Sequence, residues 1–138
     1  MDIRFSFFSL AIITAFAAWL PVAKADVVSQ VMTAECTSKA TGGNGARNAC
    51  DTRWEVFTAP EGYVFAKETL KGGETSGNGS EHECRVRWGS YVEVIPGSLI
   101  TQPTIFKLQA HARSPKGYFT GRGWENCEYT VKLTKYIK

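Results

Sequence analysis

Residues 104–113 read TIFKLQAHAR, and this stretch decides the fold class because its side chains alternate in polarity. Every second position from Phe106 to Ala112 is apolar, and the positions between them are polar. Successive side chains of a β-strand point to opposite faces, so this period predicts a strand with one face on a core. The solvent face would carry Lys107, Gln109, His111 and Arg113.

The same period of two recurs along the chain. Residues 127–137, CEYTVKLTKYI, place Cys127, Tyr129, Val131 and Leu133 on one face. Further strands are predicted at residues 52–58, 62–70, 84–88 and 91–95, and at residues 27–35, where a short helix is the alternative. Clusters rich in glycine or proline at residues 41–45, 59–62, 72–80 and 96–97 are predicted to reverse the chain. About six or seven strands predict an all-β fold, an antiparallel β-sandwich or a small barrel.

The chain has four cysteines, and an even number in an exported chain predicts two disulfides. Of the three possible pairings, we favour Cys36 with Cys50 and Cys84 with Cys127. The first closes a short glycine-rich loop, and the second ties the middle of the chain to its last strand. The Cys84–Cys127 spacing is compatible with an immunoglobulin-like architecture. Trp88 follows Cys84 too closely for the tryptophan of antibody domains, so the architecture alone is predicted, without a family.

Residues 1–25 have the features of a signal peptide. Arg4 precedes an apolar run from Phe5 to Trp19, Pro21 interrupts it, and residues 23–25 form a small-x-small cleavage pattern. Cleavage would leave residues 26–138 as a single secreted or periplasmic β domain with no membrane span. An uncleaved membrane anchor is the alternative, because the apolar run is nearly long enough to cross a bilayer.

Charge is distributed unevenly along the chain. Residues 26–83 hold five Lys or Arg against nine Asp or Glu, whereas residues 84–138 hold nine against three. This asymmetry indicates either a basic face for an anionic partner or two halves that interleave and neutralise each other. The net charge is too small to suggest a general nucleic-acid binder, so no nucleic-acid partner is expected.

Residues 111–129, HARSPKGYFTGRGWENCEY, combine basic and aromatic side chains with glycines. Residues 114–125 are predicted to connect two strands, forming a loop too long for a tight hairpin. Aromatic rings beside cationic groups suit a sugar ring or an anionic glycan. Packing in the core is the alternative for Phe119 and Trp124. The predicted ligand-binding residues are His111, Arg113, Lys116, Tyr118, Arg122 and Trp124.

No motif for catalysis, a metal or a cofactor is found in the sequence. Alternation places His82 on one face of its strand and Glu81 and Glu83 on the other, so these three cannot share a metal. We therefore expect no metal and no cofactor. A ribonuclease-like site would need His111 and Arg113 to meet a glutamate such as Glu93 or Glu55, and nothing in the spacing indicates that they do.

These features predict a non-enzymatic, exported binding domain whose ligand is a carbohydrate, an envelope polymer or a protein. An inhibitor or effector that docks on a protein through the same loop is the first alternative. A small secreted hydrolase is the second. The sequence predicts no oligomeric state.

Overall fold

The computed structural model describes residues 28–136, and all regular elements in this range are β-strands. The predicted signal peptide, residues 1–25, lies outside the described residues. None of the described residues belongs to a helix long and apolar enough to cross a membrane. The strands are β1 (Ser29–Thr37), β2 (Ala49–Asp51), β3 (Glu55–Thr58), β4 (Tyr63–Asn78), β5 (Glu81–Glu93), β6 (Thr101–Arg113) and β7 (Trp124–Lys135).

The strands form two antiparallel sheets that pack face to face. The three-stranded sheet has the order β1-β7-β4. In the four-stranded sheet β6 pairs with β5, and also with β2 and β3 at successive parts of its length. The fold is therefore the predicted antiparallel β-sandwich and not a closed barrel, with seven strands.

The core lies between the sheets and is centred on β6. Phe106, Leu108, Ala110 and Ala112 are completely buried, as the alternation in residues 104–113 predicts. The ring of Phe106 contacts that of Trp88 at a centroid distance of 4.8 Å. Burial of one such side chain contributes about 1.5–3 kcal/mol, so this row of apolar residues holds the two sheets together.

Both predicted disulfides are present, and each joins one sheet to the other. Cys36 of β1 is bonded to Cys50 of β2, and Cys84 of β5 is bonded to Cys127 of β7. Among the described residues there is no free cysteine. Disulfides persist in oxidising compartments, so the two bonds are compatible with a secreted or periplasmic protein.

The glycine-rich segment 72–80 differs from the prediction, because most of it belongs to a strand. β4 continues to Asn78 and pairs with β7 through two register shifts. Gly72 and Gly73 have φ angles of 115° and 147°, and a Cβ at Gly72 would clash with the carbonyl oxygen of Glu128. Gly72 and Gly73 pair in register with Tyr129 and Glu128, between the two register shifts, so these glycines allow a close approach of β4 to β7 and do not end the strand.

The last strand also begins earlier than predicted. Trp124 pairs with Thr37 on one side and Asn78 on the other, so β7 includes two residues that the sequence assigned to the loop. The connection from β6 to β7 consequently spans residues 114–123. The predicted break at Gly89 and Ser90 is absent, since β5 keeps one register with β6 from Glu81 to Glu93.

Candidate functional site

Two connections meet at one end of the sandwich, residues 38–48 between β1 and β2 and residues 114–123 between β6 and β7. We call them the end loops. The hydroxyl oxygens of Thr41 and Ser114 are 2.6 Å apart, and both residues are buried. The amide of Ser114 donates to the carbonyl of Asn48 at 2.8 Å, and that of Phe119 donates to the carbonyl of Gly42 at 3.3 Å. The end loops therefore form one hydrogen-bonded unit.

Two aromatic rings lie on the outside of the end loops. Tyr118 is 71% exposed and Phe119 is 83% exposed. Each ring lies over a glycine: a Cβ at Gly45 would be 3.0 Å from Tyr118 Cε1, and one at Gly43 would be 2.7 Å from Phe119 Cζ. The core-packing alternative for Phe119 is thus wrong, because its ring contacts the neighbouring loop and otherwise faces solvent.

The backbone of Phe119 has a positive φ angle, as do those of Ser90 and Leu99 outside the end loops. Its φ angle is 53°, in the left-handed region that disfavours residues with a Cβ. Such a conformation costs on the order of 1–3 kcal/mol and persists where surrounding contacts hold it, often at ligand-binding sites. Here the hydrogen bond to Gly42 and the contact with Gly43 hold it.

The end loops are basic and contain no carboxylate side chain. They carry Lys39, Arg47, Lys116 and Arg122, and no Asp, Glu or His lies in either loop. Among residues 28–136, the ion pairs are made by other side chains. These four cations give the end loops a positive charge, although the charge of Arg47 also acts on the nearby carboxylate of Glu81.

His111 and Arg113 lie on the outer face of the four-stranded sheet, where alternation places them, but His111 is only 7% exposed, so the predicted solvent exposure of this residue is wrong. Carboxylates surround both residues. His111 Nδ1 is 2.7 Å from Asp51 Oδ1, and its Nε2 is 3.4 Å from Glu81 Oε2. Arg113 pairs with Glu81 at 3.4 Å. The hydrogen bond with His111 is the largest effect that lowers the pKa of Glu81, and the positive charge of Arg113 is the second largest. On this face the acidic and basic halves of the chain interleave and neutralise each other.

The six predicted ligand-binding residues thus divide among three places. Lys116, Tyr118 and Arg122 lie in the end loops. His111 and Arg113 lie on the outer face of the four-stranded sheet. Trp124 is 38% exposed, and because the next residue, Glu125, is buried between the sheets, Trp124 lies on the outer face of the three-stranded sheet.

Comparisons with protein-family models, with curated proteins and with solved structures found no match to this chain. The end loops also include Lys39 and Arg47, which the sequence did not single out, and Phe119, which the sequence analysis named but did not include in the ligand-binding set. Lys39 and Arg47 lie far from residues 114–123 in the chain. In the sequence, Lys39 and Arg47 are marked only by their place in residues 38–48, a glycine-rich segment without acidic residues.

A second cluster, which the sequence did not reveal, lies between the sheets and consists of Glu74, His82 and Glu125. His82 Nδ1 is 2.8 Å from Glu74 Oε2 and 3.2 Å from Glu125 Oε2. The three residues come from β4, β5 and β7. As alternation predicts, Glu81 and Glu83 lie on the opposite face of β5 and contact other residues. The carboxylates that reach His82 come from the other sheet.

The electrostatics of this cluster follow from the burial of Glu125, which is 0% exposed. Burial is the largest effect that raises the pKa of Glu125, and the negative charge of Glu74 is the second largest. The hydrogen bond and the charge of His82 lower this pKa. Hydrogen bonding to Glu74 is the largest effect that raises the pKa of His82. Glu125 Oε1 lies 3.4 Å from Cys84 Sγ and 3.9 Å from Cys127 Sγ, and a disulfide sulfur has no proton to donate. Charge on Glu125 is therefore compensated only through its other oxygen.

Proposed function

We propose that the protein is an exported, non-enzymatic binding domain that recognises an anionic carbohydrate polymer through its end loops. The observation that carries this proposal is the coincidence of four cations, no carboxylate and two exposed aromatic rings on one hydrogen-bonded surface. A protein partner on the same surface is the competing occupant.

The chemistry of the end loops matches an acidic sugar. The C–H face of a sugar ring stacks on an aromatic ring such as Tyr118, while Arg122 donates charge-assisted hydrogen bonds to carboxylate or sulfate groups. A polymer repeats both features along its length, so several cations contact it at once. The absence of Asp and Glu from both loops removes the repulsion that would otherwise oppose an anion.

The end loops are braced before any ligand arrives. Thr41 Oγ1 donates to the carbonyl of Pro115 at 3.0 Å, and Asn48 Nδ2 donates to the carbonyl of Ala40 at 2.8 Å. The Cys36–Cys50 disulfide closes the segment that contains residues 38–48. Because little conformational freedom remains to be lost, more of the contact energy is available for affinity.

The same surface lacks the imidazole and carboxylate groups that most often perform acid–base catalysis. Neither end loop contains His, Asp, Glu or Cys, and its buried hydroxyl on Ser114 bonds to Thr41 and to the amide of Asn48. His111 contacts Asp51 and Glu81, not the Glu93 or Glu55 of the ribonuclease-like alternative. These contacts favour binding over hydrolysis.

Titration calorimetry of residues 26–138 with polygalacturonate, and with neutral dextran as the comparison, tests the proposal. We expect binding to polygalacturonate that weakens as salt rises, because exposed charges are screened. Arg122→Ala and Tyr118→Ala should weaken it, whereas Lys132→Ala on the outer face of the three-stranded sheet should not. Equal binding of dextran, or no binding of polygalacturonate at low salt, would contradict the proposal. Capture of a protein by wild type but not by Arg122→Ala would then favour the competing occupant.

A further inference from the structure

We propose that Glu74, His82 and Glu125 form a binding site for a divalent transition-metal cation such as Zn²⁺. The site is separate from the end loops and does not depend on the function proposed for them. One imidazole nitrogen and two carboxylates are ligands that suit Zn²⁺ and its neighbours, whereas an imidazole disfavours Mg²⁺ and Ca²⁺.

The three ligand groups are close enough together to converge on one metal ion. Their candidate ligand atoms all lie within 4.8 Å of one another. In a tetrahedral site, metal–nitrogen and metal–oxygen bonds of about 2.0–2.2 Å place neighbouring ligand atoms about 3.3–3.6 Å apart. Nδ1 of His82 is 2.8 Å from Glu74 Oε2 and 3.2 Å from Glu125 Oε2. A cation can bind between these atoms if the side chains move apart by a few tenths of an ångström.

Gly77 keeps space open beside these atoms. A Cβ at this position would lie 2.6 Å from His82 Nδ1, 2.7 Å from Glu125 Oε2 and 2.9 Å from Glu74 Oε1. Unlike Gly72 and Gly73, Gly77 does not have a left-handed φ, so its backbone does not require glycine. A side chain at position 77 would instead crowd the ends of all three ligand residues.

The burial of Glu125 supplies an independent reason for a cation. An ionised carboxylate that is 0% exposed is costly unless an opposite charge compensates it. A divalent cation with two carboxylates and a neutral imidazole gives a net charge of zero. The side chains of His82 and Glu74 are 34% and 40% exposed, which leaves an open side where water can complete the coordination. Cys84 and Cys127 also lie beside Glu125, but they are bonded to each other.

The test uses chelator-treated protein with its disulfides intact, titrated calorimetrically with ZnCl₂ in the absence of any polymer. We expect one Zn²⁺ per chain and a rise in melting temperature that EDTA reverses. Glu74→Gln should weaken Zn²⁺ binding by about 100-fold or more, since loss of even an outer-shell partner costs about 10- to 100-fold. Glu83→Gln is the matched control, because this neighbouring carboxylate lies on the opposite face and contacts Arg85.

Gly77→Ala offers a second variant in which all three ligands remain. It should weaken Zn²⁺ binding by filling the space beside them, and circular dichroism checks that it has folded. Zn²⁺ binding that is unchanged in both Glu74→Gln and Gly77→Ala, or lost equally in Glu83→Gln, would overturn the site. Absence of Zn²⁺ binding by the wild-type protein would overturn it as well. Polygalacturonate binding by Glu74→Gln should equal that of wild type, so failure of one proposal leaves the other standing.

Discussion

The hydroxyl oxygens of Thr41 and Ser114 lie 2.6 Å apart inside the domain, although 73 residues separate them in the chain. Each also bonds the backbone of the opposite loop: Thr41 donates to the carbonyl of Pro115, and Ser114 Oγ accepts from the amide of Asn48. This pair is where the two end loops join. The arrangement of the basic and aromatic side chains above it depends on these bonds.

Thr41→Val keeps the shape of this side chain but removes its hydroxyl. We expect a loss of about 1–3 kcal/mol in the free energy of unfolding, because Ser114 and the carbonyl of Pro115 each lose a buried partner. Polygalacturonate binding should weaken too, as the loops are no longer held together. Urea unfolding measures the first effect and calorimetry the second. Thr134→Val, at an exposed position of β7, is the control, and equal losses in both variants would contradict this role.

Trp124 lies at the surface, and its truncation should show this. Trp124→Ala is expected to destabilise the fold much less than Phe106→Ala, for which a fully buried aromatic predicts about 3–5 kcal/mol. Urea unfolding of the two variants gives the comparison. If the losses are similar, Trp124 packs as a core residue and its place on the outer face is wrong.

Gly72 combines a left-handed φ with a close backbone approach, whereas Gly62 has only the first. Gly62→Ala should cost about 1–2 kcal/mol, because φ is 81° but no atom lies within 4 Å of the added Cβ. Gly72→Ala should cost clearly more, since the added Cβ meets the carbonyl oxygen of Glu128. Thermal unfolding of both variants checks the order. The reverse order would show that the close approach of Gly72 to Glu128 is not needed for the pairing of β4 with β7.

The stability of the cation-free protein should fall as pH rises. The pKa of Glu125 is raised above its ordinary value of 4.5 and that of His82 above 6.5. A pKa that is higher in the folded protein than in the unfolded chain means that the fold binds the proton more tightly. The resulting gain in stability is complete at a pH below the unfolded-chain pKa, and it is lost as pH rises through the pKa of the folded protein. The lowered pKa of Glu81 acts in the opposite direction, but only as pH falls below about 4.5.

Urea unfolding in EDTA at pH 5.5 and pH 8 measures this effect. Wild type should have a lower free energy of unfolding at pH 8 than at pH 5.5. In His82→Gln this difference should be smaller, because the variant lacks the imidazole whose pKa is raised in the fold. Stability that increases between these two pH values would contradict the arrangement of Glu74, His82 and Glu125.

The strands that carry the core were predictable because their signal is local. The alternation from Phe106 to Ala112 reports which face of β6 is buried, since successive side chains of any strand point to opposite faces. The number of cysteines predicted two disulfides, and the pairing of Cys36 with Cys50 and of Cys84 with Cys127, favoured among three, is confirmed by the structure. The course of β4 was not predictable, because glycines favour turns and bulges alike, and only pairing with β7 decides between them.

Both candidate sites were decided by the tertiary structure. Glu74 and Glu125 reach His82 because sheet packing brings β4 and β7 opposite β5, and no spacing along the chain records that meeting. In the same way Lys39 and Arg47 join Lys116 and Arg122 only because the two connections end at the same side of the sandwich. Local sterics and polarity determine which residues form strands and which faces are buried. The register between strands and the packing of one sheet on the other determine which side chains meet.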